Sequence, residues 1–166
     1  MERPLTGKVA VITGASHGLG KATAGHLAAL GADVVLIGRD AERLNQTATH
    51  LSQHGTRVLA MPCDVSHGAA VQATAEQIIQ EMGRVDILIN NAGIPAPRTF
   101  SDTAFEDWDA VIGTNLSGVF YMTRALWPAL TGNGAGYVIT ISGTAGVRGG
   151  GSPAYGSAKF GLTGLN

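Results

Sequence analysis

A strand, a glycine-rich turn and a helix follow one another near the start of the chain, and this order constrains the fold more than any other feature. Residues 9–12 form a short apolar run rich in β-branched side chains, which is typical of a strand buried on both faces. The turn 13–20 interrupts the run, and helix-forming residues fill 21–30. Such a unit directs the free N–H groups and positive dipole end of its helix at whatever lies above the turn. The stretch therefore predicts a site for the phosphates of a dinucleotide.

The turn reads T-G-A-S-H-G-L-G, and its glycine spacing differs from the general G-x-G-x-x-G fingerprint. Gly14 can form the tight turn, Gly18 lets the backbone approach a phosphate, and Gly20 lets the helix pack on the strand. Taken alone, such a turn could also simply connect a strand to a helix. The threonine-led spacing resembles the cofactor turn of the short-chain dehydrogenase/reductase family. This resemblance places the remaining cofactor contacts of the turn at Ser16, His17 and Leu19.

Four further apolar segments predict strands that alternate with helices. The predicted strands are 33–37, 56–61, 85–89 and 137–141, and the predicted helices between them are 41–53, 69–82 and 104–130. This alternation predicts an α/β fold, a Rossmann-like, doubly wound parallel sheet with helices on both faces and right-handed crossovers. Ligands of such a sheet bind outside the C-terminal ends of the strands. The resemblance implies that the fold is truncated after the fifth strand and the start of the following helix.

Length and composition predict one cytoplasmic domain over residues 1–166, and the resemblance implies that this domain binds NAD(P). Eleven basic and twelve acidic side chains give a formal net charge of −1, which argues against nucleic acid or an anionic membrane as a partner. Cys63 is the only cysteine, so no intrachain disulfide can form. No stretch reaches the ~18 apolar residues of a membrane span. No metal is expected either, because His50 and His54 lack a third ligand and are interpreted as a solvated pair.

The end of the second strand bears on the choice of cofactor. An acidic residue there binds the ribose hydroxyls of NAD, whereas an arginine suits the 2′-phosphate of NADP. Gly38 leaves the usual acidic position empty, and Arg39 is adjacent. The sequence therefore favours NADP(H) over NAD(H). The other interpretation is an arginine that is simply solvated at a strand end.

Two further motifs follow strands at the same edge of the predicted sheet. Asp64 and Val65 come after the third strand, where a carboxylate could contact the ligand or cap the next helix. The resemblance implies that this pair lies against the adenine ring. The sequence N-N-A-G after the fourth strand resembles a second family motif, whose asparagines can bond the backbone of neighbouring strands. Its implied cofactor contacts are Asn91, Ala92 and Gly93.

Ser142, Tyr155 and Lys159 supply the groups that carbonyl reduction requires. Ser142 ends the fifth strand, and Tyr155 and Lys159 are four residues apart, so they share one face of a helix. A lone pair with this spacing is usually an ordinary helix pair, but here it follows Ser142 and both cofactor motifs. Tyr155 can exchange a proton with the substrate oxygen, the Lys159 charge favours the phenolate, and Ser142 can bond the developing oxyanion. The resemblance adds that Lys159 binds the nicotinamide ribose and that Asn115, the fourth catalytic residue, helps to hold a proton-relaying water.

The resemblance covers essentially the entire chain and implies an oxidoreductase that transfers a hydride between NADP(H) and a carbonyl or secondary alcohol. Similarity is nearest to the 3-oxoacyl-[acyl-carrier-protein] reductases, but sugar and secondary-alcohol dehydrogenases share these motifs. Segments 94–100 and 143–152 carry few groups that could select a small-molecule substrate. The chain stops at Asn166, before the strands and substrate lid that the family leads us to expect. We therefore expect it to be C-terminally incomplete, and a non-catalytic nucleotide-binding Rossmann fragment is the second interpretation.

The predicted helix 104–130 is apolar on more than one face. A surface helix normally keeps its outer face polar, and only 14% of all residues are charged, against roughly 25% in an average protein. In the family, this helix and the one holding Tyr155 pack against sister subunits. The sequence therefore predicts a homotetramer for the complete protein. The apolar set of the helix is Val111, Ile112, Leu116, Val119, Phe120, Met122, Leu126 and Trp127.

Overall fold

The computed structural model describes residues 3–132, 134–148 and 152–165, which form a five-stranded sheet with helices on both faces. Its strands are β1 (Val9–Thr13), β2 (Asp33–Gly38), β3 (Val58–Pro62), β4 (Ile87–Asn90) and β5 (Tyr137–Thr140). Its α-helices are α1 (Gly18–Ala29), α2 (Ala41–Leu51), α3 (Gly68–Met82), α4 (Phe105–Ile112), α5 (Gly118–Gly132), α6 (Ala145–Arg148) and α7 (Pro153–Gly161). Short 3₁₀ turns cover Ser52–His54 and Leu162–Gly164.

The strands lie in the order β3-β2-β1-β4-β5, and every neighbouring pair is parallel. The chain moves outward from β1 to β3 on one side and then returns to place β4 and β5 on the other. This reversal next to β1 is the switch point at which doubly wound sheets bind their ligands. The register pairs Thr13 with Ile37 and Ile12 with Ile89, so the three central strands end at one level. The predicted doubly wound parallel sheet is confirmed.

The core lies on both faces of the sheet because the central strands are apolar at successive positions. Every residue of β1 is buried, as predicted for a strand covered on both sides. On one face, Val11 packs with Ile78 of α3 and Met122 of α5. On the other, Ile12 packs with Leu44 of α2 and with α1. This rigid support fixes the loops at the C-terminal edge. Within the described residues, no helix combines the length and the hydropathy that crossing a membrane requires.

Two predicted segments differ in detail from the structure. The helical stretch predicted over 104–130, with a weak break near Gly113 and Thr114, is two helices, α4 and α5, and the π-helical segment Gly113–Ser117 joins them at that break. Gly118 begins α5 against the loop after β3, where a Cβ would lie 2.9 Å from the Val65 side chain. The loop predicted over 143–152 contains the short helix α6, and residues 149–151 of that prediction lie outside the described residues.

Candidate active site

The turn after β1 has the backbone conformation and the clearances of a phosphate-binding loop. Gly14 and Gly18 have φ angles of 66° and 55°, in the left-handed region that favours glycine. A Cβ at Gly14 would lie 2.8 Å from Nδ2 of Asn91, and a Cβ at Gly20 would collide with the carbonyl oxygen of Gly14. Apart from the two chain neighbours and the backbone of α1 itself, no described atom lies within 4 Å of a Cβ built at Gly18. Gly14 and Gly20 therefore allow close packing, whereas Gly18 leaves space for a ligand.

Helix α1 begins directly after this turn with its N–H groups available. Its N-cap residue, His17, is extended and makes no side-chain capping bond, and the first turn carries no acidic residue. The helix end therefore offers both hydrogen-bond donors and the positive end of the helix dipole. Oγ of Ser16 lies 2.9 Å from Nδ1 of His17 and fixes the imidazole beside the helix end. These features fit the pyrophosphate of a dinucleotide.

Hydrogen bonds join the glycine turn to the N-N-A-G motif. The Thr13 hydroxyl accepts from the N–H groups of Asn91 and Ala92, at 3.0 and 2.9 Å. Nδ2 of Asn91 donates to the carbonyl oxygens of Thr13 and Gly14, at 2.9 and 3.3 Å. The predicted bonding of an asparagine to a neighbouring strand is thus confirmed at Asn91, while Asn90 donates to α5 instead. The two motifs form one rigid edge above β1 and β4.

A cavity of about 230 Å³ opens beside this edge, above the ends of β1, β2 and β3. Arg39 and Asp64 both line it, Nη1 of Arg39 lies 4.0 Å from Oδ2 of Asp64, and the Arg39 side chain is 66% exposed. The arginine is therefore free to turn toward an anionic ligand. The predicted cofactor contacts that line the cavity are Gly14, Ser16, His17, Arg39, Asp64, Val65, Ala92 and Gly93.

Asp64 closes a turn and does not cap the following helix. Its Oδ1 accepts from the N–H and the hydroxyl of Ser66, at 3.0 and 2.7 Å, whereas the N-cap of α3 is His67. Burial alone would raise the pKa of Asp64, but the hydrogen bonds from Ser66 and the charge of Arg39 outweigh it and lower that pKa below its usual value. Of the two positions that the sequence left open, the ligand edge is the one that Asp64 occupies.

Tyr155 and Lys159 lie together beside a second cavity of about 850 Å³. The hydroxyl of Ser152 accepts from the Tyr155 N–H at 3.3 Å and caps α7, the helix that carries both residues. Nζ of Lys159 donates to the carbonyl oxygen of Ile141 at 2.6 Å and lies 5.8 Å from the centre of the Tyr155 ring. Lys159 is only 4% exposed, and this burial lowers its pKa.

Ser142 completes this group from the end of β5. It lines the same cavity as Tyr155 and Lys159, together with Asn91 and Gly93 of the N-N-A-G motif. Helix α6 follows it closely, and a Cβ at Gly146 would collide with the Ser142 hydroxyl oxygen. The structure thus brings the predicted serine, tyrosine and lysine to one cavity, next to the predicted cofactor edge.

Comparison with known proteins agrees with this geometry. A family model described as short chain dehydrogenase matches residues 8–166. The chain belongs to the short-chain dehydrogenase family. It is 39% identical over 158 residues to a (2S)-[(R)-hydroxy(phenyl)methyl]succinyl-CoA dehydrogenase subunit of Thauera aromatica, covering 95% of this chain and 64% of that protein. It is also 37% identical over 161 residues to the 3-oxoacyl-[acyl-carrier-protein] reductase FabG of Escherichia coli. That match covers 96% of this chain and 65% of the reductase.

Solved structures of the family share the fold. A metagenomic short-chain oxidoreductase in complex with NADP has a TM-score of 0.92 and 38% identity, over 98% of this chain and 74% of that one. A short chain dehydrogenase/reductase from Burkholderia phymatum in complex with NAD has a TM-score of 0.91 and 35% identity. This match covers 98% of this chain and 58% of that one. Members of the family thus bind either nicotinamide cofactor. The chain spans less than two thirds of the length of the curated relatives named above.

Four residues predicted for the site line neither cavity, namely Gly18, Leu19, Gly20 and Asn115. Leu19 points to solvent from the first turn of α1 and is 59% exposed. Asn115 is fully buried in the π-helical segment. Its Oδ1 accepts from the N–H of Ile94 at 2.8 Å, and its Nδ2 donates to the carbonyl oxygen of Ile94 at 2.9 Å. The contacts of Asn115 position a loop, and its part in a proton relay stays a prediction.

Arg98 is a residue of the second cavity that the sequence analysis did not single out. It is exposed and lines that cavity with Ser142, Tyr155 and Lys159. Segment 94–100 was predicted to carry few groups that could select a substrate. The sequence did contain a signal that could have pointed to Arg98. This residue directly follows two closely spaced prolines, Pro95 and Pro97, in a loop that leaves the ligand edge. Only the fold shows that this loop passes over the cavity.

Proposed function

We propose that the protein is an oxidoreductase that transfers a hydride between NADP(H) and a carbonyl or secondary alcohol substrate. The observation that carries the proposal is the shared cavity of Ser142, Tyr155 and Lys159, which also reaches Asn91 and Gly93 at the cofactor edge. The relatives named above, a dehydrogenase subunit and a reductase, support the same reaction class. They give no support to a nucleotide-binding domain without turnover. Within this class, the 3-oxoacyl thioesters are the proposed substrate group, and a cytoplasmic location stays a prediction.

The residues of the glycine turn and its cavity fit a nicotinamide dinucleotide. The available N–H groups of α1 and the open space at Gly18 suit the pyrophosphate, and the cavity beside Asp64 and Val65 suits the adenosine. When bound, the dinucleotide supplies or accepts the hydride. Asn91, Ala92 and Gly93 would hold it at the ends of β1 and β4.

Side chains that line the second cavity would supply the proton and would stabilise the negative charge that develops on the substrate oxygen. The Tyr155 hydroxyl would donate the proton during reduction and accept it back during oxidation. Ser142 would donate a hydrogen bond to the same oxygen. Lys159 would stabilise the phenolate by its charge and bind the ribose hydroxyls of the cofactor. Its bond to the Ile141 carbonyl fixes the ammonium group near the ring, even though burial lowers its pKa.

We expect NADPH to bind at least about tenfold more tightly than NADH, a difference of about 1.4 kcal/mol. The reason is that Arg39 lines the cavity with most of its side chain exposed and can therefore contact a 2′-phosphate. Arg39→Ala should remove most of this preference, measured by fluorescence titration with both cofactors. Arg57→Ala is a matched control, because Arg57 pairs with Glu81 at the opposite edge of the sheet. Equal affinities of the wild type for the two cofactors would contradict the assignment.

We also propose that the complete protein assembles as a homotetramer through the outer face of α5. Met122 and Leu126 of this helix are buried in the core, whereas Phe120 and Trp127 are 51% and 52% exposed. The helix is therefore apolar on two faces, as the sequence predicted. Phe120 and Trp127 line a groove of about 380 Å³ together with Val138 of β5. Exposed aromatic side chains of this kind are enriched in protein interfaces.

Light scattering tests this assembly. A chain extended at its C-terminus to the length of its relatives is expected to run as a tetramer, whereas the 166-residue chain should associate poorly or aggregate. Replacing Phe120 and Trp127 by Glu in the extended chain should dissociate it, because each change places a charge in the apolar interface. Replacing Asn45 and His50, two exposed residues of α2, by Glu is the matched control. A stable monomer from the 166-residue chain would show that the outer face of α5 is not an interface.

A further inference from the structure

We propose that the substrate carries an anionic group, a carboxylate or a phosphate, and that Arg98 binds this group. The inference rests on the proposed oxidoreductase function and adds the chemical class of the substrate. Arg98 lines the cavity that holds Ser142, Tyr155 and Lys159. A substrate whose carbonyl meets the tyrosine therefore passes close to the arginine. Arginine suits this role because its planar guanidinium can bond two oxygens of one anion.

The lining of this cavity carries positive charge without an acidic counterpart. Its cationic residues are Arg98 and Lys159, and none of the described residues that line it is Asp or Glu. Lys159 is buried, and its ammonium group donates to the Ile141 carbonyl. Arg98 is exposed and forms no ion pair with any carboxylate of the described residues. Its guanidinium is therefore the group of the cavity that is available to an anion.

The loop that carries Arg98 is held in place on its N-terminal side. Asn115 bonds both the N–H and the carbonyl oxygen of Ile94, at 2.8 and 2.9 Å. Ile94 and Ala96 also pack against the apolar cluster that Tyr155 contacts. The loop is thus attached to the same packing unit as the proposed acid. This attachment fixes the distance between the reacting end of the cavity and the arginine.

The loop is also held on its C-terminal side. The Thr99 hydroxyl donates to the Asp102 carboxylate at 2.6 Å and accepts from the Asp102 N–H at 3.2 Å. The Thr103 hydroxyl donates to the Thr99 carbonyl oxygen at 2.6 Å. Between the two fixed ends, Pro95 and Pro97 restrict the backbone further. Binding an anion here therefore costs little loop ordering, and the carboxylate of Asp102 is bonded within its own turn.

Arg98 lies between two cavities. Besides the one with the tyrosine, it lines an adjoining cavity of about 490 Å³, and Ser152 also lines both. This adjoining cavity offers the hydroxyls of Thr99 and Ser157 and the ring of Phe100, and none of the described residues that line it is Asp or Glu. This arrangement suits an extended substrate, with its carbonyl on one side of the arginine and the rest of the molecule on the other.

Two matched pairs of substrates test the proposal in the protein that carries this sequence. Acetoacetate and methyl acetoacetate differ in a carboxylate, and acetoacetyl-CoA and acetoacetyl-N-acetylcysteamine differ in the phosphates. For at least one pair, the wild type should prefer the anion in kcat/KM. Arg98→Gln should lower that preference by about tenfold, because a hydrogen bond to a charged group contributes on this order. Arg98→Lys should retain part of it.

The pair whose preference falls in Arg98→Gln shows whether the anion that Arg98 binds is a carboxylate or a phosphate. Arg148→Gln is the matched control, because it removes a neighbouring cation of α6 that lines neither cavity. This variant should show preferences within about twofold of those of the wild type for both pairs. If Arg98→Gln changes neither preference, or if the wild type prefers the neutral member of both pairs, the proposal is wrong.

Failure of the proposed oxidoreductase function gives a different result, in which no member of either pair is reduced. Equilibrium binding then still tests Arg98. Calorimetric titration of the wild type with NADP⁺ present, using each pair in turn, should show tighter binding of an anion. That difference should fall about tenfold in Arg98→Gln. Equal affinities for anionic and neutral members in the wild type would overturn the role of Arg98, whatever the turnover.

Discussion

Replacing Tyr155 by Phe is expected to lower the turnover of ketone reduction by about 10²- to 10⁴-fold and to leave NADPH affinity nearly unchanged. The change removes only the hydroxyl that would transfer the proton. The ring packs against the apolar cluster of Val111, Ala154 and Ala158, and Phe retains these contacts. Steady-state NADPH absorbance gives the turnover, and fluorescence titration gives the affinity. Both measurements use a chain extended at its C-terminus to the length of its relatives.

Tyr137→Phe makes the same chemical change at an exposed position, the first residue of β5, at the opposite edge of the sheet. It should leave turnover unchanged and thus controls for the loss of a tyrosine hydroxyl as such. If Tyr155→Phe keeps more than about a tenth of wild-type turnover, Tyr155 is not the proton donor. A wild type that binds NADPH but reduces no carbonyl would favour the nucleotide-binding interpretation.

The strands and the cofactor turn could be predicted because each depends on a short stretch of sequence. The run 9–12 is β-branched and apolar, and β1 is indeed buried along its whole length. Gly14 adopts a left-handed φ, and a side chain at Gly20 would collide with the backbone of the turn. The positions of the apolar run and of these two glycines in the sequence were enough to predict a strand, a tight turn and a helix that packs closely on the strand.

The surroundings of the second cavity could not be predicted, because they depend on contacts between distant residues. Asn115 bonds Ile94, which is 21 positions away, and this contact exists only once the π-helical segment has formed. The same bonds hold the loop of Arg98 over the cavity. A π-helical turn has no short sequence signal, since Gly113 predicts only a weak break in a helix. The sequence therefore did not indicate that Arg98 lines the substrate side of the site, because its segment was interpreted as an ordinary loop.

The opposite edge of the sheet holds a buried carboxylate that no sequence motif indicated. The side chain of Asp86 is 2% exposed. Its Oδ2 accepts from the Val9 N–H at 2.9 Å and from Nε of Arg84 at 2.8 Å. Its Oδ1 accepts from Nη2 of Arg84 at 2.6 Å and from Nζ of Lys8 at 3.2 Å. Asp86 thus joins the starts of β1 and β4, the two strands that carry the cofactor motifs.

These contacts make the stability of the fold depend on pH. Burial alone would raise the pKa of Asp86, but hydrogen bonds from Arg84, the Val9 N–H and Lys8 outweigh it and lower that pKa below the usual range. A carboxyl whose pKa is lower in the folded than in the unfolded state stabilises the fold fully above its unfolded pKa of about 4. That contribution is lost as the pH falls through the lower, folded-state pKa.

Asp86→Ala is expected to lower the free energy of unfolding by about 3 kcal/mol at pH 7, the low end for breaking a buried ion pair. The low end applies because Lys8 and Arg84 are 44% and 40% exposed and can return to water. The variant should also lose the part of the acid dependence that Asp86 supplies, measured by urea unfolding between pH 3 and 7, values chosen to bracket the usual carboxyl pKa of ~4.

Asp109→Ala on α4 is the matched control, because it removes an exposed carboxylate and should change the free energy by less than about 0.5 kcal/mol. If Asp86→Ala unfolds with the free energy and acid dependence of the wild type, the hydrogen bonds of Asp86 only offset the cost of burying it. In that case, the junction of β1 and β4 is stabilised by the apolar contacts of the two strands alone, and the cofactor edge above it does not depend on Asp86.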